Sequence, residues 1–104
     1  MRRSIVLAGL LALACTWVKL TPGGEAVRVA KEDEVGGCET KGRTHAQTTD
    51  RVTVFARSPT TIQQELVSLA RNEAALMGGD AIVPASGVES GRQTFDVYLC
   101  AKAK

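Results

Sequence analysis

Ser58-Pro59-Thr60-Thr61-Ile62-Gln63-Gln64-Glu65-Leu66-Val67-Ser68-Leu69-Ala70-Arg71-Asn72-Glu73-Ala74-Ala75-Leu76-Met77-Gly78-Gly79-Asp80-Ala81-Ile82-Val83-Pro84 is the stretch that decides the fold. Ile62, Leu66, Leu69, Ala70, Ala74 and Met77 recur at spacings of three and four, which places them on one face of a helix from about Pro59 to Met77. Ser58 before Pro59 suits an N-cap followed by the first helical position, and Thr61 with Gln64 offers a capping box one turn later. Gln63, Gln64, Arg71 and Asn72 fall mostly off the apolar face and are expected in water. Gly78-Gly79 ends the helix, because the left-handed conformation at a helix C-terminus favours a residue without Cβ. Asp80 to Pro84 then reads as a short strand, with Pro84 marking an edge or a last rung.

Strands lie on both sides of this helix. Gln93 to Cys100 alternates, with Phe95, Val97 and Leu99 on the expected core face and Thr94, Asp96, Tyr98 and Cys100 on the other. Upstream, Ala26-Val27-Arg28-Val29-Ala30 reads as a strand closed by the charged run Lys31 to Glu34. Gly36-Gly37 forms a turn, Cys38 to Thr49 is a polar, solvent-facing strand of weak periodicity, and Val52 to Ala56 is rich in β-branched residues. Gly87 to Gly91 is a loop. The order strand, strand, helix, strand, strand is met most economically by an α+β domain, a mainly antiparallel sheet with one amphipathic helix on one face.

The N-terminus belongs to a different category. Met1-Arg2-Arg3-Ser4 is a basic start, Ile5 to Ala14 an apolar run, and Ala12-Leu13-Ala14 supplies small residues for cleavage, so residues 1–14 read as a signal peptide. A membrane span needs about 20 apolar residues, and this run meets Thr16, Lys19 and Pro22 too soon. Arg2 and Arg3 leave with the leader, so 13 basic residues become 11 against 11 acidic ones. The mature chain is neutral, and nucleic acid is excluded as a partner on that balance.

Three cysteines leave an odd thiol in an exported protein. Lipidation of Cys15 consumes one sulfur and leaves Cys38 and Cys100 to form a disulfide in an oxidising periplasm. Ala12-Leu13-Ala14 also fits an ordinary cleavage site, which would release a soluble protein carrying a free Cys15, but that cut leaves an exported odd thiol. Residues 15–25 then form a lipidated N-terminus and tether, with Pro22-Gly23-Gly24 as a turn or flexible hinge, ahead of a single domain at 26–104. Trp17, Val18 and Leu20 make that tether less polar than most, suited to lying on a membrane or packing back on the domain.

On Cys15-Thr16-Trp17-Val18-Lys19-Leu20, Val27-Arg28-Val29, the isolated Cys38 with Gly42, the run from Glu65 to Asp80 and the run from Gln93 to Cys100, the chain resembles a family of small bacterial envelope lipoproteins of unknown function. The likeness covers essentially the whole mature chain. It implies an outer-membrane lipoprotein facing the periplasm, since Thr16 is not the Asp that favours inner-membrane retention. The element order is also distantly similar to the RcsF stress-sensor lipoproteins, a likeness of fold alone.

No pattern here is that of an enzyme. His45 is the only histidine, and with Cys38 and Cys100 it lacks the local ligand pairs of a zinc site, so no metal and no cofactor beyond the covalent lipid on Cys15 is expected. A Cys38 and His45 nucleophilic pair needs a free thiolate that the disulfide removes. Ser86 and Ser90 lie near glycines without forming a nucleophile elbow. Gly78-Gly79 follows its helix, whereas phosphate loops precede one. Arg71, Asn72 and Glu73 are the candidate partner-binding cluster; the plainer reading is a solvated helix face or local capping contacts. The expectation is a non-enzymatic binding or structural module with the membrane and an unidentified envelope protein as partners. Its rivals are a stress sensor or adaptor and a thiol-disulfide redox protein.

Overall fold

The computed structural model of the protein describes residues 18–49, 51–52, 55–56 and 58–101. Along them run a short helix α1 (Pro22–Glu25), β1 (Arg28–Val29), a 3₁₀ turn (Glu32–Glu34), β2 (Glu39–Gln47), β3 (Arg51–Val52), β4 (Phe55–Ala56), the main helix α2 (Pro59–Leu76), β5 (Ala81–Pro84) and β6 (Arg92–Leu99). Four strands make one sheet in the order β1-β5-β6-β2. β6 runs antiparallel to β5 and to β2, while β1 joins β5 in parallel, so the domain is α+β with a mixed sheet.

Both ends of α2 follow from local chemistry. The Ser58 hydroxyl accepts from the Thr61 amide at 3.3 Å, with Pro59 at the first helical position. That start lies one turn ahead of the Thr61 and Gln64 pair, which therefore does not cap. At the other end the Gly79 amide donates to the Ala74 carbonyl and the Gly78 amide to the Ala75 carbonyl, and Gly78 has φ +85°. These crossed bonds satisfy carbonyls that a helix end otherwise leaves open.

Gly79 is needed for a second reason. A Cβ there would collide with the Val97 side chain and stand 3.0 Å from the Tyr98 carbonyl oxygen, so the chain turns from α2 into β5 against the backbone of β6. Gly79→Ala is expected to destabilise the domain by about 1–3 kcal/mol, an overpacking cost, read as a lower urea midpoint with unchanged slope.

The core lies between α2 and the sheet. Ile62, Leu66, Ala70 and Ala74 of α2 pack with Val27, Ala46, Ile82, Phe95 and Val97. Ala70 and Ala74 are fully buried, and small side chains at these positions let the helix lie close to the sheet. Leu69 and Met77, expected in the core, border it half-buried, while Glu65 is buried at 8% exposure. β5 is covered on both sides: Ile82 faces α2, and Ala81 and Val83 join Ala30, Val35, Tyr98 and the two cysteines in a smaller cluster on the opposite face. Its continuous apolar run is that of an interior strand, and Pro84 is its last rung. Leu99, predicted to be core, is half-buried at the sheet's end.

Two segments depart from expectation. Val52 to Ala56 is no single strand: Val52 pairs with Phe55 and Arg51 with Ala56, antiparallel, and Thr53 and Val54 lie outside the described residues. The strand expected at 26–30 shrinks to two rungs, with Val27 in the large cluster, Ala30 in the small one and Val29 49% exposed. β2, expected to face solvent, turns Thr44 and Ala46 inward. It lies at the sheet's edge, where a register irregularity between Thr40 and Gly42 and the charges of Lys41 and Arg43 discourage further strand pairing.

Candidate functional site

Cys38, just before β2, and Cys100, just after β6, are joined as a disulfide 62 residues apart in sequence. The bond ties the start of the edge strand to the end of its neighbour. Asp80 secures the same corner, because its carboxylate accepts from the Cys100 amide at 2.7 Å and the Ala101 amide at 2.9 Å. The sequence reading did not single out Asp80, although an Asp directly after a helix-ending Gly-Gly was a signal that the turn is held by a side chain.

Arg71 and Asn72 act together, on the chain's own N-terminal segment. Thr21 caps α1 by accepting from the Gly24 amide at 3.0 Å, with Pro22 at its first position, the same device that opens α2. Asn72 Oδ1 accepts from the Thr21 amide at 2.8 Å and its hydroxyl at 3.1 Å, and Asn72 Nδ2 donates to the Lys19 carbonyl at 2.9 Å. One turn of chain onward, Arg71 donates to the carbonyls of Val27 at 2.7 Å and of Gly24 and Glu25 at 3.2 Å. The guanidinium fork suits this convergence of backbone acceptors. Glu73 is exposed and takes no part in these bonds.

Of the two expectations for this segment, the structure shows packing back on the domain: residues 19–27 are bonded to α2, and Pro22 to Gly24, expected to be a turn or flexible hinge, lie in α1. Gly24 is buried, and a Cβ on it would collide with Asn72 Oδ1 and approach Leu20 Cδ1 at 3.1 Å. Glycine there serves close approach of two helices, which from sequence looks the same as glycine serving flexibility. Asn72→Ala removes three hydrogen bonds and is expected to cost about 1–2 kcal/mol, less than their sum because the segment is partly solvated. Faster amide exchange at Thr21 and Gly24, with the α2 core amides unchanged, is the measurement that checks it.

The remaining chemistry is on the sheet face away from α2. Arg43 Nε donates to Asp96 Oδ1 at 2.8 Å, and this hydrogen bond together with the carboxylate's charge holds the guanidinium above its ordinary range. His45 Nδ1 is 3.0 Å from Thr94 Oγ1. The 85–91 loop beside them leaves an open cleft of 820 Å³ whose lining includes His45, Ser86, Glu89, Ser90, Arg92 and Thr94. The Ser86 hydroxyl accepts from the Thr94 amide and donates to the Gly87 carbonyl, each at 3.0 Å, and Ser90 turns the chain at φ +52°. His45 therefore has a threonine as its neighbour, and the serine beside the cleft is engaged with backbone. Among the described residues, no group of three or more His, Cys, Asp or Glu is placed to hold a metal ion, and no helix is long and apolar enough to cross a membrane. Cys15 lies outside the described residues.

Fold and site together define a small disulfide-tied α+β domain whose N-terminal segment is clamped to its main helix. The chain belongs to the family described as a domain of unknown function, DUF4156, which matches residues 18–100. The matched span opens at the clamped segment and closes on the second cysteine of the disulfide. Neither the curated proteins nor the solved structures include a match to the chain.

Proposed function

We propose that this protein is an exported bacterial envelope lipoprotein, anchored by lipid on Cys15 to the outer membrane, whose periplasmic domain acts by binding or structural support and not by catalysis. The observation that carries the reading is the Cys38 and Cys100 disulfide, which accounts for two of the chain's three cysteines and leaves Cys15, next to the leader, as the third. A disulfide suits an oxidising compartment, and acylation explains the third cysteine. The disulfide's position argues for a structural role: its cysteines end strands distant in sequence, whereas exchange-active pairs are local and at a helix N-terminus. The signalling role suggested by likeness to RcsF-type sensors has no residue of this chain to support it beyond the order of elements.

The test is the intact mass and N-terminus of the protein extracted from membranes. A mature chain beginning at an acylated Cys15 with no free thiol is expected. An unmodified protein recovered from the soluble fraction would overturn the anchor.

A further inference from the structure

The clamp has a consequence for where the domain works. Asn72 fixes the Lys19 carbonyl, and Lys19 follows Cys15 by four residues. A fully extended chain covers at most about 3.6 Å per residue, so a lipid on Cys15 lies within about 14 Å of a point fixed on α2. An anchor that short holds the clamp within about 14 Å of the bilayer, so the surface around it is the part of the domain nearest to lipid.

That surface has the composition for it. Leu69, Asn72 and Leu76 follow one another at spacings of three and four, so they form one stripe along α2, with the exposed Glu73 at its border, four residues from Leu69 and three from Leu76. Leu76 is 82% exposed, the most exposed large hydrophobic side chain among the described residues. Val18 borders a shallow groove with Leu69, and Lys19 is exposed beside them. A single exposed leucine is ordinary on a protein surface. Leu76 is distinguished by lying one helical turn from the clamp of an acylated N-terminus, with a lysine suited to anionic headgroups nearby.

We propose that the face carrying Val18, Lys19, Leu69 and Leu76 rests on the phospholipid surface, with Leu76 in the headgroup and acyl boundary, so that the far face of the sheet is presented to the periplasm. This rests on acylation of Cys15. Interfacial binding of this kind combines an anchoring lipid with apolar and basic side chains.

The experiment uses the full mature protein, its mass first confirming acylation, in phospholipid bicelles containing a gadolinium-chelate lipid, with amide relaxation measured along the chain. Enhancement is expected to be several-fold stronger at residues 18–20 and 69–76 than at 31–37, on the far side of the sheet. Asn72→Ala should collapse that contrast by lengthening the leash. Leu76→Glu, at a site already in water, should preserve the fold and weaken the contrast. Uniform enhancement, or a maximum on another face, overturns the proposal and leaves the anchor standing. Concentration-dependent broadening of the same face without lipid would assign it to a second copy and also overturn the proposal. A mass without acyl chains overturns the anchor itself.

Discussion

Replacing Cys38 and Cys100 together by alanine is expected to lower the stability of the folded domain by about 4 kcal/mol, the chain-entropy value for releasing a loop of this length. The bond spans 62 residues and joins β2 to β6 at the sheet's end. Without it, the unfolded chain regains the freedom of nearly the whole domain. Asp80 still bonds the Cys100 and Ala101 amides, so the native corner keeps its geometry and the effect falls mainly on the unfolded state. For a domain of this size each 1 kcal/mol shifts the melting temperature by roughly 4–8 °C, so a fall of about 16–32 °C is expected in calorimetry, reproduced by reducing agent on the unaltered protein. A fall of only a few degrees would show that the β2 and β6 pairing holds the sheet's end by itself.

What could be read in advance divides along the range of the interactions. Ser58-Pro59 and Gly78-Gly79 announce the ends of α2 because caps are settled by residues three or four positions apart. β6 is legible because alternation at Phe95 and Val97 is imposed by a single buried face. The parallel entry of β1 beside β5 is not legible, since Arg28 and Ala81 are brought together only by everything folded between them. The same holds for Arg71 and Asn72. On the helix they look like solvated residues, and only the docking of α1 turns them into a clamp. Thr21-Pro22 did carry a local signal, the same hydroxyl-then-proline start as Ser58-Pro59, but Gly23-Gly24 beside it reads as slack chain until the buried position of Gly24 is known. Val52 to Ala56 misleads for the opposite reason: β-branched residues favour extended backbone and say nothing about where it reverses.

Phe95→Ala is expected to produce a loss as large as that of the disulfide, about 3–5 kcal/mol. Phe95 is fully buried, in register with Thr44 of β2 and Pro84 of β5, and it belongs to the cluster that α2 enters with Ile62, Leu66, Ala70 and Ala74. Phe95 is the largest of the fully buried side chains, so the space it vacates is more than its close-packed neighbours can fill. The cavity therefore persists, and its cost adds to the lost transfer energy. Phe95 and Cys100 are five residues apart on an extended strand, about 16 Å, far enough for their contributions to add. The variant lacking both Phe95 and the disulfide should then lose about 7–9 kcal/mol, which equals or exceeds the whole stability of many domains this small. Circular dichroism should show Phe95→Ala folded at 25 °C while oxidised and unfolded once reduced. If it stays folded after reduction, the smaller cluster of Ala30, Val35, Ala81 and Val83 contributes more than its size suggests, and the two faces of the sheet are stabilised independently.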